Sequence, residues 1–237
     1  LDANTTANNN TAIGASALSL NISGSNNTAI GSNSLLNNIA GFNIALGTDA
    51  LKNNTTGQFN NAIGDAAMYQ NTIGSSNVAI GKNSMFGNVS GSNNMALGVG
   101  SLTNVKSDNN TGVGGESLNS LTVGTFNTAI GYQSMANTVT GSYNIAIGNE
   151  SGQQVQGNNN VGIGYQSIKN VTGGQNVGIG NESLFSAGSS NIGIGHSAGR
   201  NETGSNNLYI SNQSFGSTTQ DRSGSLMWGV MDVTAAN

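Results

Sequence analysis

The sequence predicts an all-β chain, a parallel β-solenoid of the left-handed β-roll type with about 12–13 rungs of 16–17 residues. Three observations predict it. First, the motif Asn-x-(Ala/Gly)-(Ile/Leu/Val)-Gly returns through nearly the whole chain, with glycines at Gly14, Gly31, Gly47, Gly64, Gly81, Gly98, Gly114, Gly131, Gly148, Gly164, Gly180 and Gly195. A degenerate thirteenth copy ends in Ser211, and the spacings are 17 residues six times, 16 five times and 15 once. Second, apolar residues hold fixed places within that period. Third, helix formers are scarce: Gly and Asn supply 36 and 41 of the 237 residues, and both rank low in helix interiors.

Counting from the motif glycine as zero, each position has its own logic. Asn stands at −4 in all thirteen copies: Asn10, Asn27, Asn43, Asn60, Asn77, Asn94, Asn110, Asn127, Asn144, Asn160, Asn176, Asn191 and Asn207. Identical amides stacked in register predict a structural ladder, and Asn also suits turns and backbone capping. Position −1 is Ile, Val or Leu from Ile13 to Ile210, and −2 is Ala or Gly in the first twelve copies. Side chains alternate along a strand, so −1 is expected to point into the coil and −2 outward. A small outward residue implies close approach by another copy of the chain about a symmetry axis, or by a second sheet of the same coil. Position +3 is Ser or Ala, and +4 is mostly Leu, Met or Ile, as in Leu18, Met68 and Leu184. A weaker apolar place follows at +8 (Ile22, Ile39, Val89, Val139), and a second glycine at +10 (Gly24, Gly57, Gly74, Gly91, Gly124, Gly141) is expected to form a corner.

A rung of this size cannot hold a βαβ unit. Stacked at strand spacing, twelve intervals give a rod roughly 58 Å long. One Ile and one Leu per rung is a thin core against the entropy of ordering 16 residues. A homotrimer is therefore expected, with the −2 strands near its axis. The organisation expected is a repeat domain over 1–212 and a C-terminal cap or transition segment over 213–237, where Trp228 and the Asp221–Arg222 pair stand outside the repeat.

Composition excludes several functions. With no Cys, disulfides and thiolate metal sites are absent. Six Lys and Arg cannot neutralise a nucleic-acid backbone. No apolar run approaches the ~18 residues of a membrane span, so no membrane insertion is expected.

Chemistry is thinly represented. The one histidine, His196, stands at +1 and reads as solvated surface. The +2 column of the second half reads Glu116, Gln133, Glu150, Gln166, Glu182. Acids on every second rung lie about 9.6 Å apart, near the upper limit for inverting glycosidases, but alternation also relieves repulsion on a solvated edge. No catalytic residue, cofactor or metal ligand is assigned. Aromatics are few: Phe42 and Phe59, then Phe126 and Tyr143, occupy −5 in adjacent rungs, while Tyr132 and Tyr165 stand at +1. Tyr132, Tyr165, Phe126, Tyr143 and Trp228 are the candidates for contact with a glycan or receptor.

Asn-Thr-Ala-Ile-Gly (10–14 and 127–131) and Asn-Val-Ala-Ile-Gly-x-x-Ser (77–84) resemble the repeats of YadA-type trimeric autotransporter adhesin heads. The longer unit over 127–144 is similar to phage tail-fibre repeats, as are Asn-Asn-Leu-Tyr-Ile (206–210) and Leu226-Met227-Trp228-Gly229 after the array. In such fibres an endosialidase-type intramolecular chaperone commonly follows. The resemblance covers roughly 200 residues and implies a homotrimeric β-roll outside the cell, attaching to a host-cell surface glycan or protein receptor. The reading is a virion tail-fibre segment, with the head of a bacterial cell-surface adhesin as the alternative. From another class come a glycan-degrading tailspike and an ice-binding solenoid. The latter is disfavoured because −3 is Thr only in Thr11, Thr28, Thr111 and Thr128.

Overall fold

The computed structural model describes residues 5–213, 216–220 and 227–230. It is all-β and divides into two compact units, Leu1–Thr125 and Phe126–Asn237. The first carries seven three-residue strands: β1 (Thr11–Ile13), β2 (Thr28–Ile30), β3 (Ile44–Leu46), β4 (Asn61–Ile63), β5 (Val78–Ile80), β6 (Met95–Leu97) and β7 (Thr111–Val113). Each pairs in parallel with the next, in a register that puts motif on motif, such as Ala79 against Ala96. The second unit repeats this with β8 (Thr128–Ile130), β9 (Ile145–Ile147), β10 (Val161–Ile163), β11 (Val177–Ile179), β12 (Ile192–Ile194) and β13 (Asn207–Ile210). There the last strand, β14 (Met227–Val230), lies antiparallel on β13. Each unit is thus a parallel β-solenoid built one coil per motif.

The coil turns by backbone sign changes. The motif glycine adopts φ between +113° and +139° in every copy from Gly14 to Gly195. Three further positions, −5, +2 and +4, are left-handed although most carry side chains. In one coil these are Phe42 (φ 63°), Asp49 (φ 57°) and Leu51 (φ 49°). A left-handed residue with a Cβ costs roughly 1–2 kcal/mol, so inter-rung backbone bonds must hold each of them. Leu51 N–H donates to Ala67 O at 3.0 Å and Asp49 N–H to Ser32 O at 2.9 Å.

The strand faces are the reverse of the expectation. Position −2 points inward: Ala29, Ala45, Ala62, Ala79, Ala96, Ala129 and Ala146 are fully buried. Position −1 points outward, with Ile13, Ile30, Ile63, Ile80, Leu97, Ile130, Ile147, Ile163, Ile179 and Ile194 between 36% and 58% exposed. The small residue at −2 is therefore required by the coil's own interior and not by an approaching chain. A Cβ on Gly162 would stand 2.4 Å from Ile168 Cγ1, and one on Gly112 2.7 Å from Ser101 Oγ. The +4 side chain (Leu18 to Leu184) reaches across and fills the space that was assigned to −1. The −2 side chains accordingly face the coil's interior and not another chain.

Position +7, not the apolar +8, completes the interior; Ile22, Ile39, Val89 and Val139 at +8 are exposed. In the first unit +7 is a second buried amide column, Asn21, Asn38, Asn54, Asn71 and Asn88. Their amides link rung to rung, Asn71 Nδ2 to Asn54 Oδ1 at 2.8 Å and Asn88 Nδ2 to Asn71 Oδ1 at 2.9 Å. The column then becomes apolar with Val105 and Leu121, and in the second unit Val155 and Val171. Close packing explains four of the six +10 glycines without a corner, while Gly124 (φ 152°) and Gly141 (φ 110°) have the positive φ expected of one. Gly24, Gly57, Gly74 and Gly91 have ordinary φ, but a Cβ on Gly57 would meet Gly74 O at 2.3 Å and Asn54 Oδ1 at 2.5 Å. The second unit ends on an aromatic plug. Gly199 replaces the +4 leucine, Tyr209 fills the space, and its hydroxyl donates to the buried Glu202 carboxylate.

Candidate functional site

The −4 asparagines line the interior corner before each strand. Within the first unit the Oδ1 of each of Asn10, Asn27, Asn43, Asn60, Asn77 and Asn94 accepts the backbone N–H of the next rung's asparagine at 2.8–3.1 Å. Their Nδ2 groups donate to carbonyls beside the following strand, such as Asn60 to Gly74 O at 2.8 Å. In the second unit Asn144, Asn160, Asn176, Asn191 and Asn207 bond in the same way to Asn127, Asn144, Asn160, Asn176 and Asn191 at 2.9–3.1 Å. There the amides also bond each other, for example Asn176 Nδ2 to Asn160 Oδ1 at 3.0 Å. Except for the half-buried Asn10, all thirteen are buried. Buried amides that hold backbone groups between rungs have no capacity left for a ligand.

Ligand-accessible chemistry lies on two rims. The rim before each strand holds the −5 aromatics. Phe42 stacks on Phe59 with ring centroids 5.1 Å apart, and Phe126 on Tyr143 at 5.1 Å with planes 10° apart. All four are at least half exposed. Tyr132 and Tyr165 are exposed at +1, beyond the other end of the strand. The structure does not bring them together with Phe126 and Tyr143, since β8 and β10 intervene. The side chain of Trp228 lies outside the described residues, as do Asp221 and Arg222.

On the rim after the strand the sequence shows the +2 acids as a column but not their partners at +5. Tyr69 stacks on Phe86 at 5.2 Å, with Lys52 Nζ 5.5 Å from the Tyr69 ring. Phe185 lies between Lys169 Nζ, at 5.8 Å, and Arg200 Cζ, at 5.0 Å. The +2 acids hold these cations. Glu150 binds Lys169 at 2.6 Å and Gln166 Nε2 at 2.7 Å, while Glu182 accepts Arg200 Nε at 2.8 Å. Asp49 accepts Asn33 Nδ2 at 2.9 Å and pairs with Lys52 at 3.1 Å. A tabulation of +5 would have found this rim, because its cations and aromatics recur there: Lys52, Tyr69, Phe86, Lys169, Phe185, Arg200.

These acids make stability pH-dependent. Lys169, then Gln166, lowers the Glu150 pKa from its ordinary 4.5. The hydrogen bond from Asn33, then Lys52, lowers Asp49 from 3.8. A depressed folded-state pKa stabilises the fold above the ordinary value, and that contribution is lost as pH falls through the folded value. The melting temperature should therefore fall on acidification below roughly pH 4.5. An Asp49→Asn/Glu150→Gln variant should show a flatter acid limb; a limb identical to wild type would refute this assignment.

Among the described residues, no three His, Asp or Glu side chains gather as a metal site, and His196 is exposed. No helix among them is long and apolar enough to cross a membrane. No protein-family model, curated protein or solved structure matches the chain.

Proposed function

We propose that this chain is a structural and adhesive segment of an extracellular fibre, a phage tail fibre, which self-associates as a homotrimer and presents its rims to a host-cell surface glycan or protein receptor. The observation that carries this reading is the outward strand face. Within each unit position −1 places Ile, Leu or Val on consecutive rungs, flanked on some rungs by an apolar −3 residue; Ile80, Met95, Leu97, Ile145 and Ile147 are all substantially exposed. Soluble monomers rarely leave a continuous apolar stripe of this kind uncovered. A second copy of the same stripe, offset by a symmetry operation, covers it with an equally flat and regular partner. Three-fold closure is what the resemblance to β-roll fibres implies.

The rest of the molecule supports a scaffold. The buried −4 amides are engaged in rung-to-rung bonds, and Asp49, Asp65, Glu150 and Glu182 are paired with cations. No catalytic residue, cofactor or metal is assigned.

The test is the mass in solution. Light scattering should give three times the 23.8 kDa of the chain. Replacing Ile63, Ile80 and Leu97 by Ser should shift the mass toward one chain while β-type circular dichroism persists. A monomeric wild-type protein would sink the proposal.

A further inference from the structure

One residue breaks the outward strand face. Over β1–β12 positions −3 and −1 hold Ile, Val, Leu, Met or Thr on every rung except at −3 of β4, which is Asn61. No charged residue and no other carboxamide stands on that face. Asn61 is half-buried. Its backbone N–H donates to Asn77 O at 2.8 Å, but its side-chain amide makes no hydrogen bond among the described residues. Its registered neighbours on the adjoining rungs are Ile44 and Val78, and Ile63 follows on the same face of its own strand. The −4 and +7 amides of this unit are spent on holding rungs together, whereas the Asn61 amide is set in an apolar stripe with two donors and an acceptor left over. The other polar members of the face are Thr11, Thr28 and Thr111, toward the ends of the first unit, and Thr128 on the first strand of the second.

We propose that Asn61 sets the register of the self-association, its amide pairing with Asn61 of the other copies of the chain. The inference rests on the homotrimer reading and names the contact that aligns its chains. Rungs that repeat every ~4.8 Å build a seam that nearly superposes on itself after a slip of one rung. At −1, Ile80 would meet Leu97 instead of Ile80, a swap of similar volume that costs little. Register in so regular a seam is weakly specified. Thr11 and Thr28 do not specify it, because they stand on consecutive rungs and a slip of one rung still sets hydroxyl against hydroxyl. Asn61 does. A slip places it against Ile44 or Val78 of a neighbouring chain and desolvates its amide without a partner. In register, each Nδ2 donates to the Oδ1 of the next chain, and three-fold symmetry closes the three bonds into a ring. A single Asn in an apolar coiled-coil seam sets register and oligomer state in the same way, at a cost in stability.

The chain contains no Cys, so introduced thiols report the alignment of chains directly. Chains carrying Ile63→Cys and chains carrying Leu97→Cys are co-expressed, and their disulfides are identified by mass spectrometry. The two positions lie two rungs apart, about 9.6 Å, beyond the ~7 Å that a disulfide spans between Cα atoms. With Asn61 in place, bridges should join 63 to 63 and 97 to 97 only. In an Asn61→Val background, bridges from 63 to 97 should appear beside them, and the trimer should melt at a higher temperature. Val already stands at −3 in Val78, Val161 and Val177, so the substitution suits the backbone; circular dichroism checks it. Mixed bridges with Asn61 in place, their absence in Asn61→Val, no same-rung bridge in either background, or a lower melting temperature in Asn61→Val overturns the proposal. A trimer that keeps its register without Asn61 removes this inference and leaves the fibre reading standing, whereas a monomeric mass removes both.

Discussion

Replacing Gly81 by Ala is expected to destabilise the protein by about 3–5 kcal/mol, while replacing Gly100 by Asn is expected to leave stability unchanged or raise it by up to about 1 kcal/mol. Gly81 is a motif glycine with φ +131°, and a Cβ there would stand 2.6 Å from both C and O of Gly98 on the next rung. Those are backbone atoms held in the sheet, so neither can yield without breaking the stack. Gly100 also has a positive φ, +65°, but a Cβ there meets only side-chain atoms, at 3.6 Å or more. It occupies +2, where Asn33 and Asn83 already adopt the left-handed conformation. Equilibrium denaturation of both variants separates the two causes of a glycine requirement. Equal losses would show that conformational strain alone governs, and no loss at Gly81 would refute the close inter-rung approach.

Asn77→Ala is expected to cost about 2–4 kcal/mol. Asn77 is fully buried. Its Oδ1 accepts the Asn94 N–H at 2.9 Å, and its Nδ2 donates to Asn60 Oδ1 at 3.1 Å and to Gly91 O at 2.8 Å. Truncation strands the Asn94 N–H in the interior. Gly91 O keeps a donor, the Asn88 amide at 3.0 Å, so the cost is centred on that one N–H. Asn77→Asp restores the acceptor but removes both donations and buries a carboxylate without a cation, so at neutral pH it should cost at least as much. Because each rung contacts only its neighbours, hydrogen exchange should accelerate mainly around 77–94. A change below about 0.5 kcal/mol in Asn77→Ala would show that the ladder is ornamental.

The −4 asparagine recurs in all thirteen copies and the motif glycine in the first twelve, so their columns are visible at once. The +7 amides are not, because the column switches from Asn88 to Val105 and the eye follows the apolar +8 residues instead. Those residues, Ile22 and Ile39 among them, proved exposed. The +2/+5 rim was half legible. The alternating acids stood out, but their partners Lys169 and Arg200 lie 18 or 19 residues away, a separation that means adjacency only once the rungs are stacked. The −5 aromatic pairs were legible as neighbours on consecutive rungs.

The sequence by itself determined the period, the parallel in-register stacking, the amide corner and the absence of thiol chemistry. These follow from composition and spacing, which every rung repeats. Only the tertiary structure decided which way the strands face. Alternation allows two phases, and a shift of one residue exchanges them. The more apolar −1 residue suggested itself as core, yet the coil is too narrow for Ile80 and Met85 to share it. With the +4 side chain swung inward by a left-handed backbone, only Ala or Gly fits opposite, and the isoleucines are left outside. That volume constraint arises between residues six apart on opposite walls of a closed coil. It exists only after the coil has closed, and it leaves the expected core residues on the outer face.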